Sequence, residues 1–169
     1  RSTATSNFTH FRLNANYTIN PYKDYVLRLN GGGQYTLNNL LNSEQTSITG
    51  EQRLSGFTSG SISGDESWYM RGQLNKNFKL SNNLTLSPYV YTAGGTVYLN
   101  QPTATERTAT TAKSVGIGLE VSGNDQYFFE KNVSARVEYS KNWATANIED
   151  VSSVRLNREH LLVTMAMRF

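Results

Sequence analysis

Apolar residues recur at every second position in seven separate segments of this chain, the period of a β-strand whose two faces meet different surroundings. The first segment puts Thr9, Phe11, Leu13, Ala15, Tyr17 and Ile19 on one face and His10, Arg12, Asn14, Asn16 and Thr18 on the other. The second sets Tyr25, Leu27 and Leu29 against Val26, Arg28, Asn30 and Gln34, and its Gly31-Gly32-Gly33 run predicts a bend or a close approach by another backbone. The third sets Trp68, Met70 and Leu74 against Tyr69, Arg71, Gln73 and Asn75. In the fourth, Leu84, Leu86, Pro88 and Val90 alternate with Thr85, Ser87, Tyr89 and Tyr91, and Pro88 removes one ladder donor, which predicts a local irregularity. Val115, Ile117, Leu119 and Val121 stand opposite Ser114, Gly116, Gly118 and Glu120 in the fifth. Val133, Ala135, Val137 and Tyr139 stand opposite Ser134, Arg136, Glu138 and Ser140 in the sixth. The last opposes Leu161, Val163, Met165, Met167 and Phe169 to Leu162, Thr164, Ala166 and Arg168.

A half-buried soluble sheet alternates too, so the charges decide what the pattern means. Arg12, Arg28, Arg71, Glu120, Arg136 and Glu138 sit at mid-strand on the polar faces, with Arg168 in the last strand. A dry core does not accept such charges without pairing, whereas a water-filled lumen does. The connections point the same way. Stretches 20–24, 79–83 and 122–125 read as short turns, and 36–66, 94–111 and 141–157 as long polar loops. Outer-membrane barrels have short periplasmic turns and long external loops, and with the last strand ending at the periplasm every strand takes its direction without conflict. The expected fold is therefore all-β, a transmembrane antiparallel β-barrel.

Seven strands do not suit a closed barrel, because bacterial single-chain barrels have even counts from about eight upward. Either a strand escapes the pattern or the chain belongs to a larger barrel. Tyr17, Tyr25, Tyr35, Trp68, Tyr139 and Trp143 fall near strand ends, as an interfacial girdle would place them; ordinary strand propensity explains them equally well. Met165, Met167 and Phe169 end the chain in an alternating strand that resembles the C-terminal signal by which barrel-assembly machinery recognises its clients.

Composition fits this picture and removes other classes. The chain is 37% hydrophobic with a mean hydropathy of -0.51, yet holds 10 Tyr and 7 Phe. No apolar run approaches the ~20 residues of a membrane helix. A polar average is what a barrel gives, since half of each strand faces water. The absence of Cys excludes a disulfide scaffold and a thiolate metal site, and suits passage through an oxidising periplasm unfolded. With a formal charge of +3 and no basic block or RNP-like motif, nothing supports nucleic-acid binding. The polar start RSTATSN is no signal peptide, so a chain that needs export reads as mature or cut from something longer.

Enzyme chemistry finds little support. His10 and His160 are the only histidines, and no Gly-x-Ser-x-Gly element or paired-Asp motif accompanies His160 and its neighbour Glu159. Both histidines read as solvated wall residues. Asp65-Glu66 reads as a solvated loop end more readily than as a weak cation site, and no helix follows the triple glycine to make a phosphate loop. No enzyme activity, cofactor or metal is expected.

Residues 42–74 read NSEQTSITGEQRLSGFTSGSISGDESWYMRGQL. This resembles the sixth-loop region of two-partner-secretion transporters, the ShlB/FhaC/HecB haemolysin-activator family within the BamA-like superfamily. In that family a Ser-Glu-Gln/Lys motif, a Gly, a Val-Arg-Gly-Tyr/Phe tetrapeptide and a Gly-Asp step precede a strand ending near Glu-Leu. Ser43-Glu44-Gln45, Gly50, Leu54-Ser55-Gly56-Phe57, Gly64-Asp65 and Gln73-Leu74 occupy those places in order. Phe8 to Gln34 resembles the preceding strand pair, and Pro88-Tyr89-Val90-Tyr91 with Gly95 the strand that follows.

The resemblance implies a bacterial outer-membrane barrel of about sixteen strands, of which 1–169 would supply about the last seven, with 37–66 as a long lumenal loop. The POTRA domains and earlier strands would be absent. It implies a translocation pore in contact with outer-membrane lipid that exports a TpsA-type partner exoprotein (haemolysin, adhesin or contact-dependent toxin) without ATP. The loop-tip Arg of the family is Ser55 here, and the wall position that carries its acidic partner falls at Ala93, beside Tyr89 and Tyr91. Both halves of that ion pair are missing together, which is nearly neutral where loss of one half costs about 3–5 kcal/mol. The loop should then be held by other contacts, such as Phe57 on Tyr89 or Tyr91, within a wall whose arginines outnumber its glutamates. Glu51, Asp65 and Glu66 would be the loop charges that this wall holds. Two competitors remain at this stage: a small self-standing outer-membrane barrel with an adhesin or structural role, and a soluble lipocalin-like barrel with its apolar faces inward.

Overall fold

The computed structural model describes residues 8–81, 83–102, 107–125, 131–148 and 151–168. Ten strands form in them: β1 (His10–Tyr22), β2 (Tyr25–Thr36), β3 (Thr46–Ser47), β4 (Ser63–Gly64), β5 (Glu66–Lys76), β6 (Phe78–Ser81), β7 (Leu84–Tyr98), β8 (Arg107–Asp125), β9 (Lys131–Ile148) and β10 (Val151–Arg168). The long strands make one antiparallel meander in the order β1-β2-β5-β7-β8-β9-β10, and each carries one of the seven periodic segments. β6 continues β5 beyond Asn77 and pairs with β7, while β3 and β4 form a small ribbon inside the excursion that joins β2 to β5. Among the described residues no helix forms, so the fold is all-β.

Much of two stretches read as long loops, 94–111 and 141–157, is strand instead. β7 continues to Tyr98 and β8 begins at Arg107, and only 149–150 separate β9 from β10. The reason lies in side chains that pair well but show no hydrophobic contrast: Thr96 meets Thr111 at 3.1 Å between hydroxyls, and Ala112 lies opposite Ala144. The stretch 122–125 belongs to the end of β8 rather than to a turn. The irregularity expected at Pro88 falls on the neighbouring strand. The β7–β8 ladder runs through Pro88 unbroken, but opposite it β5 gives way to β6 at Asn77, whose Oδ1 accepts from Ser87 Oγ at 2.8 Å.

The sheet is polar where it is covered and apolar where it is bare. Ile117 is 60% exposed and Val163 68%, as are most of Phe11, Leu13 and Met70, whereas Arg71, Asn75, Glu138 and Asn142 on the other face are buried. Burying a large aliphatic side chain is worth about 1.5–3 kcal/mol, so so many left out would be costly in water and stable only against an apolar surrounding. Residues 37–65 cover the polar face. Three tyrosines of that face lie against glycines of the next strand, Tyr69 beside Gly32, Tyr91 beside Gly116 and Tyr89 beside Gly118. A Cβ on Gly32 would sit 3.0 Å from the Tyr69 ring, and one on Gly118 would overlap the Tyr89 ring. The central glycine of the triple run thus makes room for a side chain as well as a backbone, and the flat rings become the floor on which the covering segment packs.

Candidate functional site

The covering segment is held first at its root. Asp65 is fully buried, and its Oδ1 accepts from Leu40 N and Gln45 Nε2, both at 3.1 Å, while Oδ2 accepts from Asn100 N at 3.0 Å. A buried carboxylate is stable when donors surround it like this. Gln34 on β2 donates from Nε2 to the main-chain oxygens of Asp65 (2.9 Å) and Glu44 (3.2 Å), and Arg12 Nη2 donates to the same Glu44 oxygen at 2.8 Å. The Ser43-Glu44-Gln45 and Gly64-Asp65 motifs, 20 residues apart between Gln45 and Asp65, therefore close into one clamp at the neck of the segment.

Beyond the neck the chain turns at Gly50, whose φ of 149° suits glycine, and Arg53 N donates to Gly50 O at 3.0 Å. That turn drives Leu54 downward. Leu54 and Ile48 are fully buried against Tyr69, Ala93, Val97, Ala112 and Ala144, with Phe57 and Ile62 at the margin of the cluster. At about 1.5–3 kcal/mol for each large aliphatic side chain, burial of Leu54 and Ile48 is a substantial part of the docking energy. Gly56 rests on Asn142, and a Cβ there would overlap the Asn142 amide.

Ser55 enters a buried polar network. Its hydroxyl donates to the Glu138 carboxylate, accepts from Arg71 Nη1 at 2.6 Å and lies 3.2 Å from the Tyr91 hydroxyl. Arg71 Nη2 pairs with Glu138 Oε2 at 3.1 Å and donates to Gln73 Oε1 at 2.9 Å, while Nη1 also reaches Arg53 O at 3.2 Å. The guanidinium stacks on the Tyr91 ring, 3.7 Å from its centroid, and Tyr89 donates to Glu138 Oε2 at 2.7 Å. The two charged side chains are 2% and 1% exposed. Both stand in the sheet, on β5 and β9; the covering segment contributes only a hydroxyl and a carbonyl oxygen.

These positions revise several sequence expectations. Ser55 and Ala93 form no ion pair, but an ion pair is present beneath Ser55, with both charges drawn from the sheet. Ala93 belongs to the apolar patch around Leu54 and contributes no polar anchor. Phe57 packs at the edge of the cluster that includes Tyr89 and Tyr91, while the specific anchor is Ser55. The expected excess of arginines is largely neutralised: Glu120 meets Arg28 at 3.4 Å and Arg136 at 3.6 Å, and Glu51 of the covering segment meets Arg136 at 3.5 Å. Glu66 shares parity with Trp68 and so takes the apolar face, away from the other charges of the segment. Met165 points out from the apolar face, 62% exposed; the Met167 and Arg168 side chains and all of Phe169 lie outside the described residues.

The pattern of the sequence does not single out Asn142 or Arg53, and it puts Ser114 on a polar face without giving it a role. Asn142 keeps the parity of Glu138 and Ser140, and that continued polar alternation was the signal available. Ser114 Oγ donates to Asn142 Oδ1 at 2.6 Å, which holds the amide under Gly56. His10 and His160 stand on the two outermost strands of the meander, and among the described residues no three His, Cys, Asp or Glu come together as a metal site.

An antiparallel meander that turns its apolar side chains outward and packs a segment of itself on its polar side has the build of an outer-membrane β-barrel wall. The chain belongs to the haemolysin secretion/activation protein ShlB/FhaC/HecB family, whose model matches residues 1–123 of the 169. No curated protein and no solved structure matches it. Members of this family are outer-membrane proteins of Gram-negative bacteria that serve the secretion of partner exoproteins. The matched region takes in the clamp, the tip and Arg71, whereas Glu138 and Asn142 lie beyond it on β9.

Proposed function

We propose that this chain forms about the last seven strands of an outer-membrane translocation barrel of about sixteen, with residues 37–66 folded into its lumen. The barrel passes a partner exoprotein of haemolysin, adhesin or contact-dependent toxin type to the cell surface. The observation that supports this reading is the docking of Leu54, Ser55 and Gly56 on the buried polar face while the opposite face stays apolar and bare. In the barrel the bare face meets lipid, the polar face meets water, and the docked segment occupies the path.

Export then requires the tip to yield. The unfolded partner enters from the periplasm and leaves as an extended chain, driven by its folding outside without ATP, while POTRA domains ahead of the barrel select it. The clamp at Asp65 keeps the root fixed while the tip undocks, and the Arg71–Glu138 pair stays in the wall. The test is secretion of the cognate partner by the complete transporter carrying Gly56→Leu, with heat-modifiable migration in gels as the control for a folded barrel. Secretion should fall while heat-modifiability persists; full secretion from a folded variant would refute a working role for the tip.

A further inference from the structure

The charges of the polar face are unevenly distributed. Arg28, Arg71 and Arg136 each meet a carboxylate, from Glu120, Glu138 and Glu51. Arg12 and Arg53 meet none among the described residues. Among the described residues neutral oxygens accept from them: Arg12 Nε donates to Gln34 Oε1 and its Nη2 to Glu44 O, while Arg53 Nη1 donates to Ser47 O and its guanidinium lies 4.8 Å from the centroid of the Tyr69 ring. These two arginines border one cavity of about 320 Å³ between β1, β2 and the root of the docked segment. Asn14, Ser43, Thr46 and Tyr69 also line it, and among the described residues no acidic side chain does.

We propose that this cavity is an anion site on the export path that takes the carboxylate side chains of the passing polypeptide. The inference rests on the transporter reading above. Two guanidinium groups with unused N–H bonds supply charge-assisted donors, and the hydroxyl and amide groups beside them supply neutral ones. The volume admits an aspartate or glutamate side chain. The site opens to water, which screens it and keeps binding weak. Weak binding suits a path, because a moving chain must enter each site and also leave it. Arg53 has a second connection: its side chain borders the cavity while its carbonyl oxygen accepts from Arg71 at 3.2 Å. A carboxylate that draws Arg53 away from Ser47 therefore acts on the residue next to Leu54 and Ser55, so an acidic stretch of cargo loosens the tip that blocks it.

The experiment uses the complete transporter in planar bilayers, with a synthetic Glu-Gly-Ser peptide and its Gln-Gly-Ser counterpart added from the periplasmic side. The acidic peptide should block the current at concentrations about tenfold lower than the neutral one, a difference worth about 1.4 kcal/mol. R12Q/R53Q should bring the two within about twofold, and 1 M salt should do the same. Lys113→Gln, a substitution on the exposed apolar face, should leave the discrimination intact. Equal block of the wild-type protein by both peptides would overturn the proposal. So would unchanged discrimination in R12Q/R53Q, including the case where that variant only lowers the unfolding temperature, which marks the arginines as partners of wall residues. Fluorescence anisotropy of the labelled peptides in detergent separates the two readings. Arginine-dependent binding without any current would sink the pore and keep the site, and current without such binding the reverse.

Discussion

Removal of Arg71 is the sharpest probe of how the docked segment is held. Arg71→Ala strips Glu138, whose side chain is 1% exposed, of the one cation paired with it among the described residues, leaving it the hydroxyls of Ser55, Tyr89 and Tyr91. Breaking a buried pair from one side costs about 3–5 kcal/mol. Ser55→Ala removes one hydroxyl bonded to charged groups, worth about 1.5–3 kcal/mol, and leaves the pair in the wall whole. The two variants therefore separate tip from wall. With the full-length protein in outer-membrane vesicles, tryptic cleavage at Arg53 reports undocking of the tip, and the temperature of heat-modifiable unfolding reports the wall. Ser55→Ala should raise cleavage and leave the unfolding temperature near wild type. Arg71→Ala should raise cleavage and also lower the unfolding temperature, and Arg71→Met with Glu138→Leu should recover the temperature without restoring the protection. An unfolding temperature lowered equally by Ser55→Ala and Arg71→Ala would refute the division of labour between segment and wall.

Two more expectations test the root and the bare apolar face. Asp65→Asn replaces a buried acceptor of three bonds by an amide that serves fewer of them, so hydrogen exchange at the Leu40 and Asn100 amides should accelerate by about tenfold or more, for a loss of about 1.5–3 kcal/mol. Unchanged protection there would show that the neck is held by other contacts. Ile117→Lys puts a charge on the bare face at mid-strand, where the cost at the centre of a bilayer is about 2–4 kcal/mol. The yield of heat-modifiable barrel should fall, and wild-type assembly would count against a lipid-facing Ile117.

The seven strands were legible because Ile117, Val163 and their like contrast sharply with Gly118, Thr164 and other polar neighbours. The same criterion failed on 94–111 and 141–157, where Thr96, Thr110, Ala112, Asn142 and Ala144 keep the period without the contrast. Parity also placed Arg71 and Glu138 on the polar face, but parity is not register. Only the order β5-β7-β8-β9 brings residues 67 positions apart to 3.1 Å, and no local pattern carries that information. The motif at the loop tip was readable as a unit, but which atom would meet Ser55 was not, because its partners come from three different strands. Gly32 shows a further gap: the sequence signalled close approach, and the ring that approaches comes from Tyr69, far along the chain.

The placement of both charges in the wall determines what opening costs. If the guanidinium were carried by the docked segment, each departure would leave Glu138 bare, at about 3–5 kcal/mol. Here departure uncovers Leu54 and Ile48, at about 1.5–3 kcal/mol each, breaks the bonds of the Ser55 hydroxyl and of Arg53 O, and parts the half-exposed Glu51 from Arg136, while the buried pair stays whole. If the proposed export path holds, the patch of Tyr69, Ala93, Val97, Ala112 and Ala144 that they vacate is open to apolar side chains of the passing chain, which would return part of that cost. A charge exchange tests this directly. Ser55→Arg alone sets a second guanidinium against Arg71 and should undock the tip, lengthening open times in single-channel recordings of the complete transporter. Adding Arg71→Ser to it moves the cation from wall to tip, and closed dwell times should then exceed those of the wild type, because undocking now separates a buried pair. Single-channel behaviour of the double variant matching that of Ser55→Arg alone would mean that position 55 does not reach Glu138, and the latch described above would be wrong.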